Sequence, residues 1–241
     1  MITDIVVDTL NRLPELRRTL EAIWERTTSP YRLHVIDDAS IEGNQNYLLE
    51  MQAAGRIDTL TLRTKRLGIP ANWNQAAQTG DSEIVVYTNG DVLCPKLSRH
   101  DWLAWGLGAM GRYPDIGLLS LNSPMCTANR SWRVLERHRG VRIVDRVPSF
   151  FLFARRELMR KIIIPDVGGN LAGIPIEANY QKIDRAWSRA MQTLGYKTGY
   201  LARVYCEHIG IHSTRDGRDL SRWAVPVINA DTLEPTREFA G

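Results

Sequence analysis

The sequence predicts an α/β fold with a doubly wound, mostly parallel sheet flanked by helices. Two observations carry this. Short apolar runs of strand length alternate with amphipathic segments of helix length through the first half of the chain. Each strand-like run also passes directly into polar residues, as strands do where they leave the core. Ile5-Val6-Val7 reads as a buried strand that runs out to Thr9 and Asn11. Pro14 opens the following helix, with Leu16, Leu20, Ile23 and Trp24 on one face. Leu33 to Ile36 is the next strand and ends in Asp37-Asp38. Tyr47 to Ala54 reads as helix, Leu60 to Leu62 as strand, and Pro70 to Gln78 as a short helix begun by its proline. Glu83 to Thr88 carries the strongest strand signal and runs straight into Asn89-Gly90-Asp91.

The second half has a different texture. Leu97 to Arg112 reads as helix and Ile116 to Leu121 as strand, followed by a polar, arginine-rich and irregular stretch from Asn122 to Arg146. Ser149 to Ala154 is strand-like and leads into a helix at Arg156 to Lys161. Gly168, Gly169 and Gly173 give Pro165 to Pro175 the flexibility of a lid. A helix from Glu177 to Leu194 closes at Gly195. The expected organisation is a first half over residues 1–121, a second half of the same domain over 122–213, and a polar tail over 214–241.

Composition narrows the functional classes. The 241 residues, 44% hydrophobic and 24% charged, match a globular protein of one large or two small domains. No apolar run approaches the ~20 residues of a membrane span, and the N-terminus lacks the basic and apolar stretches of a secretion signal. Cys94, Cys126 and Cys206 are widely spaced, which indicates neither a disulfide framework nor a zinc ribbon and suits the cytoplasm. The net charge is +4, and six arginines fall between Arg130 and Arg146. They form either a patch for an anionic partner or a solvated face.

In open parallel sheets, ligands bind outside the carboxyl ends of the strands. Thr9 and Asn11, Asp37 and Asp38, and Asn89 and Asp91 all follow strands in the same sense and should gather along one edge. Asn89-Gly90-Asp91 is a candidate site for Mg²⁺ or Mn²⁺, hard cations that take few protein oxygens and leave the rest to phosphate and water. Asp184 lies at the edge of the apolar stripe of Ile183, Ala186, Trp187, Ala190, Met191 and Leu194, where partial desolvation suits a carboxylate to general-base work. Glu177 projects in nearly the same direction, while Arg185 and Arg189 offer Asp184 a plain salt bridge instead. In His208-Ile209-Gly210-Ile211-His212 the central glycine argues against a helical zinc site. Gly106-Leu107-Gly108-Ala109-Met110-Gly111 has dinucleotide-fingerprint spacing but follows a helical segment, so it reads as a glycine-rich helix end.

Taken together, these motifs resemble the family 2 type of GT-A fold glycosyltransferases over most of residues 3–213. The family's Thr-Tyr-Asn-Arg is Thr9-Leu10-Asn11-Arg12 here, and its Val-Asp-Asp-Gly-Ser is Ile36-Asp37-Asp38-Ala39-Ser40. Its Asn-Leu-Gly with a later Asn corresponds to Arg66-Leu67-Gly68 and Asn74. Its Asp-x-Asp or Asn-x-Asp metal motif is Asn89-Gly90-Asp91, and its His-x-Gly is His208-Ile209-Gly210. Counting back from Gly195 aligns the family's Glu-Asp pair with Ile183-Asp184, with Glu177 and Asp166 as substitutes for the missing Glu. Trp73 stands where many members carry an arginine.

The resemblance implies a GT-A (Rossmann-like) sheet and a nucleotide-sugar donor, a UDP-sugar first among them. Thr9, Asn11, Arg12, Asp37, Asp38, Asn74, Asn89 and Gly90 would form the donor site, and Asp91 and His208 would hold Mn²⁺ or Mg²⁺. Asp184 would deprotonate an acceptor hydroxyl in an inverting transfer. The acceptor is unspecified; the arginines suit an anionic one such as DNA, a lipid-linked phosphate or a phosphorylated small molecule. The alternatives are a retaining transferase on the same fold, a DNA-modifying transferase, and a nucleotide- or DNA-binding module without catalysis. A pyrophosphorylase is disfavoured because Thr9 to Pro14 contains no glycine for a phosphate loop.

Overall fold

The structure is a computed structural model that describes residues 2–98, 100–123, 133–162, 170–171, 174–175 and 180–210. In chain order the elements are β1 (Thr3–Thr9), α1 (Leu13–Arg26), β2 (Tyr31–Asp37), α2 (Glu42–Ala53), β3 (Thr59–Leu62), α3 (Ile69–Gln78), β4 (Ile84–Asn89) and β5 (Val92–Leu93). There follow α4 (Trp102–Arg112), β6 (Ile116–Asn122), β7 (Val134–His138), β8 (Val141–Val144), β9 (Phe151–Arg155) and α5 (Arg156–Lys161). The series closes with β10 (Asn170–Leu171), β11 (Ile174–Pro175), α6 (Tyr180–Thr193), β12 (Lys197–Tyr205) and β13 (Glu207–His208).

Nine strands form the central sheet in the order β3-β2-β1-β4-β9-β6-β12-β8-β7. β1, β2, β3 and β4 run parallel, as do β6 and β12, whereas β9 is antiparallel to both β4 and β6. The chain leaves β1 toward β2 and β3, then returns to β4 on the other side of β1. The gap between β1 and β4 is therefore the topological switch point, where two loops diverge and leave a crevice.

Side-chain alternation sorts the core into two layers. Ile5 and Val7 face the layer of α1, α2 and α4 with Leu16, Leu20, Leu48 and Trp102, and Val6 faces the layer that includes Trp73, Leu158 and Trp187 from α3, α5 and α6. Each fully buried side chain of this size contributes about 1.5–3 kcal/mol. Trp73 stacks on Trp187 with ring centroids 4.0 Å apart, and Tyr87 meets both edge-on. That cluster ties α3 to α6 across β4 and accounts for tryptophan at position 73. Gly106 belongs to packing as well: a Cβ there would run into the Phe153 ring.

Three expectations change. Residues 122–146 are not irregular throughout, since β7 and β8 form an antiparallel hairpin with Gly140 (φ 81) in its turn. Interleaved arginines hide its alternation. α2 starts at Glu42 rather than Tyr47, because its first turn is polar and carries no apolar period. α4 starts at Trp102 rather than Leu97, capped by Asp101, whose carboxylate accepts from the Ala104 N–H at 2.7 Å. β12, which pairs with β6 and β8, has no counterpart in the sequence reading. Of the proposed lid, 165–175, only the β10–β11 pair is described.

At the edge opposite the crevice, Asp4 of β1 is fully buried and gathers four parts of the chain. Its Oδ1 accepts from Arg32 Nε (2.8 Å) and faces His34 Nε2 (3.0 Å); its Oδ2 accepts from Arg156 Nη2 (2.6 Å) and the N–H groups of Asp81 (2.9 Å) and Ser82 (2.8 Å). Burial alone would raise the Asp4 pKa, but the contacts with His34, Ser82 and Arg32 overcome it and hold the carboxyl well below its usual range. Removing one partner of such a buried pair costs about 3–5 kcal/mol. Asp4→Ala should lower unfolding free energy by that order in denaturant titrations. A depressed carboxyl contributes fully above its unfolded pKa of ~3.9 and is lost as pH falls below it. The wild-type advantage over Asp4→Ala should accordingly shrink only in acid.

Candidate active site

The crevice between β1 and β4 is built by two loops fastened to each other. Asn11 and Arg12 adopt left-handed backbone (φ 58 and 59), which turns the chain sharply from β1 into α1. Asn11 pays for the strain with two bonds to the β2–α2 loop: its N–H donates to Ser40 Oγ (2.6 Å), and its Oδ1 accepts from the Ile41 N–H (2.9 Å). The Asp38 N–H donates to the Thr9 carbonyl at 2.9 Å. Asp37 Oδ2 accepts from the Ser40 N–H (2.9 Å) and Gln45 Nε2 (3.1 Å). Asp38 accepts from the N–H groups of Leu67 and Gly68, both at 2.8 Å, and pairs with Arg63 at 2.9 Å. Both carboxylates thus order the loops that form the crevice wall.

Glycine is required twice. The Gly90 N–H donates to the Asp8 carbonyl at 2.8 Å, and a Cβ on Gly90 would lie 2.9 Å from Thr9 Oγ1 and 3.0 Å from Thr9 Cβ. A Cβ on Gly210 would collide with the Asp91 carboxylate and lie 2.5 Å from Arg12 Nη1. The β5–β13 pair brings these segments together, with His208 opposite Val92 and the Ile209 N–H donating to the Asp91 carbonyl at 2.9 Å.

Asp91 is the centre of the arrangement. Its Oδ2 pairs with Arg12 Nη1 at 2.5 Å, while its Oδ1 is buried without a hydrogen-bond partner and lies 3.7 Å from His208 Nε2. Burial lowers the His208 pKa and Arg12 lowers it further, against the pull of Asp91, which favours the neutral imidazole. The Phe150 ring packs edge-on to His208 at 4.9 Å. The Phe150 carbonyl accepts from the Asn89 N–H at 3.0 Å, which fixes the end of β4. The adjacent Ser149 N–H donates to Asp184 Oδ1 at 2.8 Å. Burial raises the Asp184 pKa to about 6, against the bonds from Ser149 and the Arg146 charge. Residues 149–150 therefore connect Asp184 of α6 to the Asn89-Gly90-Asp91 turn, and the alternative, a salt bridge of Asp184 with Arg185 or Arg189, is not among the ion pairs of the described residues.

Asp8 escaped the sequence reading. It stands one residue before Thr9, is 7% exposed, and accepts from Asn72 Nδ2 at 3.2 Å. Burial lifts its pKa to about 7, against contacts with Asn72 and Tyr87 and with the added repulsion of Asp91 and Asp38. An acid inside an apolar strand is the signal that would have found it. Asn72 is an α3 amide that donates to this group; Asn74 is half-buried on the same helix. Glu177, Asp166 and His212 lie outside the described residues.

The described arginines of 133–146 differ in their surroundings. Arg130 is outside the described residues, Arg146 is buried near Asp184, Arg142 Nη1 donates to the carbonyls of His138 and Val141, and Arg133, Arg137 and Arg139 are exposed. Among the described residues no group of three His, Cys, Asp or Glu side chains could hold a metal by itself. Asp91 and His208 fit a hard divalent cation that draws its remaining ligands from phosphate and water, since one buried carboxylate oxygen has no bond to lose.

Asp8 gives a test of this electrostatic arrangement. Its folded pKa lies above the unfolded ~3.9, so burying it costs progressively more stability as pH rises from about 4 to about 7, and a constant amount above. Asp8→Asn should raise Tm by several degrees at pH 8 and by much less at pH 5; the same shift at both values would refute the assignment.

The family model described as "Glycosyl transferase family 2" matches residues 4–166, a span that includes the crevice loops and Asp91 and stops before Asp184 and His208. No curated protein matches the sequence significantly. Among solved structures, the mannosyltransferase PcManGT from Pyrobaculum calidifontis, in complex with GDP-Man and Mn²⁺, superposes with a TM-score of 0.62 at 22% identity over 86% of this chain and 56% of that one. GalNAc-T7 with UDP, GalNAc and Mn²⁺ gives 0.66 at 13% identity over 90% of this chain and 45% of that one. TarS residues 1–349 from S. aureus gives 0.59 at 13% identity over 86% and 59%. The chain spans between 45% and 59% of the length of these proteins, and at such identities the likeness is one of fold. The fold is GT-A, and with a family model matching two-thirds of its length, this chain belongs to glycosyl transferase family 2.

Proposed function

We propose that the protein transfers a sugar from a nucleotide-sugar donor to an acceptor hydroxyl, with a divalent metal and with inversion at the anomeric carbon. The observation that carries this reading is the convergence of Asp91, His208 and Arg12 at the topological switch point, with one Asp91 oxygen paired and the other unpartnered. Asp91 Oδ1 and the neutral His208 would hold the ion, while Arg12 remains on Oδ2 and keeps the carboxylate oriented. When bound, Mn²⁺ or Mg²⁺ would stabilise the charge that builds on the departing nucleoside diphosphate. The relatives solved with GDP-Man and Mn²⁺ or with UDP and Mn²⁺ support this class of donor and ion.

Thr9, Asn11, Asp37, Asp38, Asn74, Asn89 and Gly90 belong to the donor side in this reading, with Asp37 and Asp38 acting mainly by shaping the loops. Residues 1–121 would bind the donor and 122–213 the acceptor, with 214–241 as a tail. Asp184 is the base. It takes the proton of the acceptor hydroxyl as that oxygen bonds to the anomeric carbon, and the electron pair of the breaking bond leaves with the diphosphate. One displacement of this kind inverts the configuration. A base with pKa near 6 is mostly ionised at pH 7 yet still basic enough to accept a proton. Its apolar partner Ile183 is 2% exposed and anchors α6 in the core. Among the described residues no helix is long and apolar enough to cross a membrane.

Three outcomes are expected. In thermal-shift titrations, one class among UDP-, GDP-, CMP- and dTDP-sugars raises Tm with Mn²⁺ but not with EDTA, and Asp91→Ala abolishes the shift; saturation at 100 times Kd corresponds to about 2.7 kcal/mol. No shift with any class would overturn the donor site. With the donor identified, kcat/KM rises with pH through about 6 and then levels, because only the ionised Asp184 accepts a proton. Asp184→Asn retains the donor-dependent shift and lowers turnover about 10²–10⁴-fold; unimpaired turnover would remove Asp184 from the mechanism.

A further inference from the structure

A second cavity, of about 670 Å³, opens between α4 and the β8–β12 pair, on the α4 side of the sheet. Its volume is within the ~300–1,000 Å³ range of small-molecule sites. The floor is apolar, formed by the buried side chains of Val141, Leu201 and Val204. α4 supplies one wall with Ala104, Gly108 and the Trp105 ring, which is 50% exposed although the tryptophans at 73, 102 and 187 are fully buried. The rim is cationic. Arg112 comes from the end of α4, Arg139 from the β7–β8 turn and Arg203 from β12, and all are exposed. No described residue lining the cavity is acidic, and none of these guanidiniums enters an ion pair among the described residues. Residues far apart in sequence thus converge into a cationic rim around an apolar floor, which the arginine count over 130–146 did not reveal.

The chemistry that fits both halves is an amphiphile with an anionic head. A free phosphate would use the arginines and leave the apolar floor wet, and a neutral apolar ligand would leave the guanidiniums unused. A half-exposed tryptophan beside basic side chains is suited to a headgroup region, where the indole lies at the boundary between water and chain. We propose that this cavity seats an anionic phospholipid of a membrane surface, with its phosphate among Arg112, Arg139 and Arg203 and the start of an acyl chain against Val141, Leu201 and Val204. β12 continues through Cys206 into Glu207-His208, and Leu97, another lining residue, follows Asp91 closely in sequence. A lipid held here would keep the sheet edge that carries Asp91 near the bilayer. The inference stands independently of the transfer reaction.

The test is co-sedimentation of the full chain with phosphatidylcholine vesicles, with and without phosphatidylglycerol. Binding is expected only to the anionic vesicles and should weaken with salt. The combined variant Arg112→Ala/Arg139→Ala/Arg203→Ala should lose roughly a hundredfold in affinity, from the usual contribution of a basic residue near an anionic surface. Arg18→Ala/Arg137→Ala/Arg189→Ala removes the same charge elsewhere and should bind nearly as the parent does. Trp105→Ala should weaken binding without changing its salt dependence. Equal binding to both vesicle types, equal loss in both triple variants, or retained binding in the first would each overturn the proposal. So would a Tm rise with inorganic phosphate alone and no vesicle binding, which marks a free-anion site. Binding of duplex DNA lost in the first triple variant, with neither vesicle bound, would reassign the rim to nucleic acid.

Discussion

Asp4 sits on β1, between β2 and β4, and its carboxylate ties both neighbouring strands and α5 together at that end of the sheet. It is buried on β1 with Arg32 and His34 of β2, the 80–82 turn before β4, and Arg156 at the start of α5. An unpaired charge in such a position would be prohibitive. Arg156 is bound in turn by the carbonyls of Thr79 and Ser82 at 2.5 and 2.6 Å, so the ion pair has little remaining hydrogen-bonding need. This cluster fixes where β2 and β4 lie on either side of β1. The crevice at the opposite end inherits that spacing.

At the crevice, the same kind of residue is left less satisfied. Asp8 is four positions further along the same strand and on the same face, yet it has a single amide donor within hydrogen-bond distance, and its other oxygen has none. One carboxylate is over-provided with partners and strongly ionised; the other is starved of them and titrates near neutrality. Asp91 divides the two conditions between its oxygens. Buried polar groups without partners are costly in a scaffold and useful where a ligand completes them.

Close backbone approach is the other constraint. Gly90 admits Thr9 and Gly210 admits the Asp91 carboxylate, so segments remote in sequence close on one point without side-chain interference. Trp73 and Trp187 do the converse work below, filling the space between α3 and α6 and coupling the crevice wall to the helix that bears Asp184.

The strand–helix alternation of the first half was legible because each buried parallel strand is a continuous apolar run and each helix has a marked start. Pro14, Pro70 and the polar clusters after Ile36 and Thr88 therefore gave the right elements and the right edge. The β7–β8 hairpin and β12 were not legible, since charged and polar residues interrupt their apolar positions and leave no continuous apolar run. The roles of Asp37 and Asp38 could not be divided from sequence either: a carboxylate that orders a loop and one that faces a ligand look alike until their donors are known. By itself the sequence determined the α/β class and the convergence of strand ends, consequences of local hydrophobic pattern, and the resemblance of its polar motifs pointed to the family. Only the tertiary structure decided that Asp8 is buried, that Arg12 takes one oxygen of Asp91, and that Arg112, Arg139 and Arg203 ring one cavity. Those outcomes depend on distances between segments remote in sequence, which no local pattern encodes.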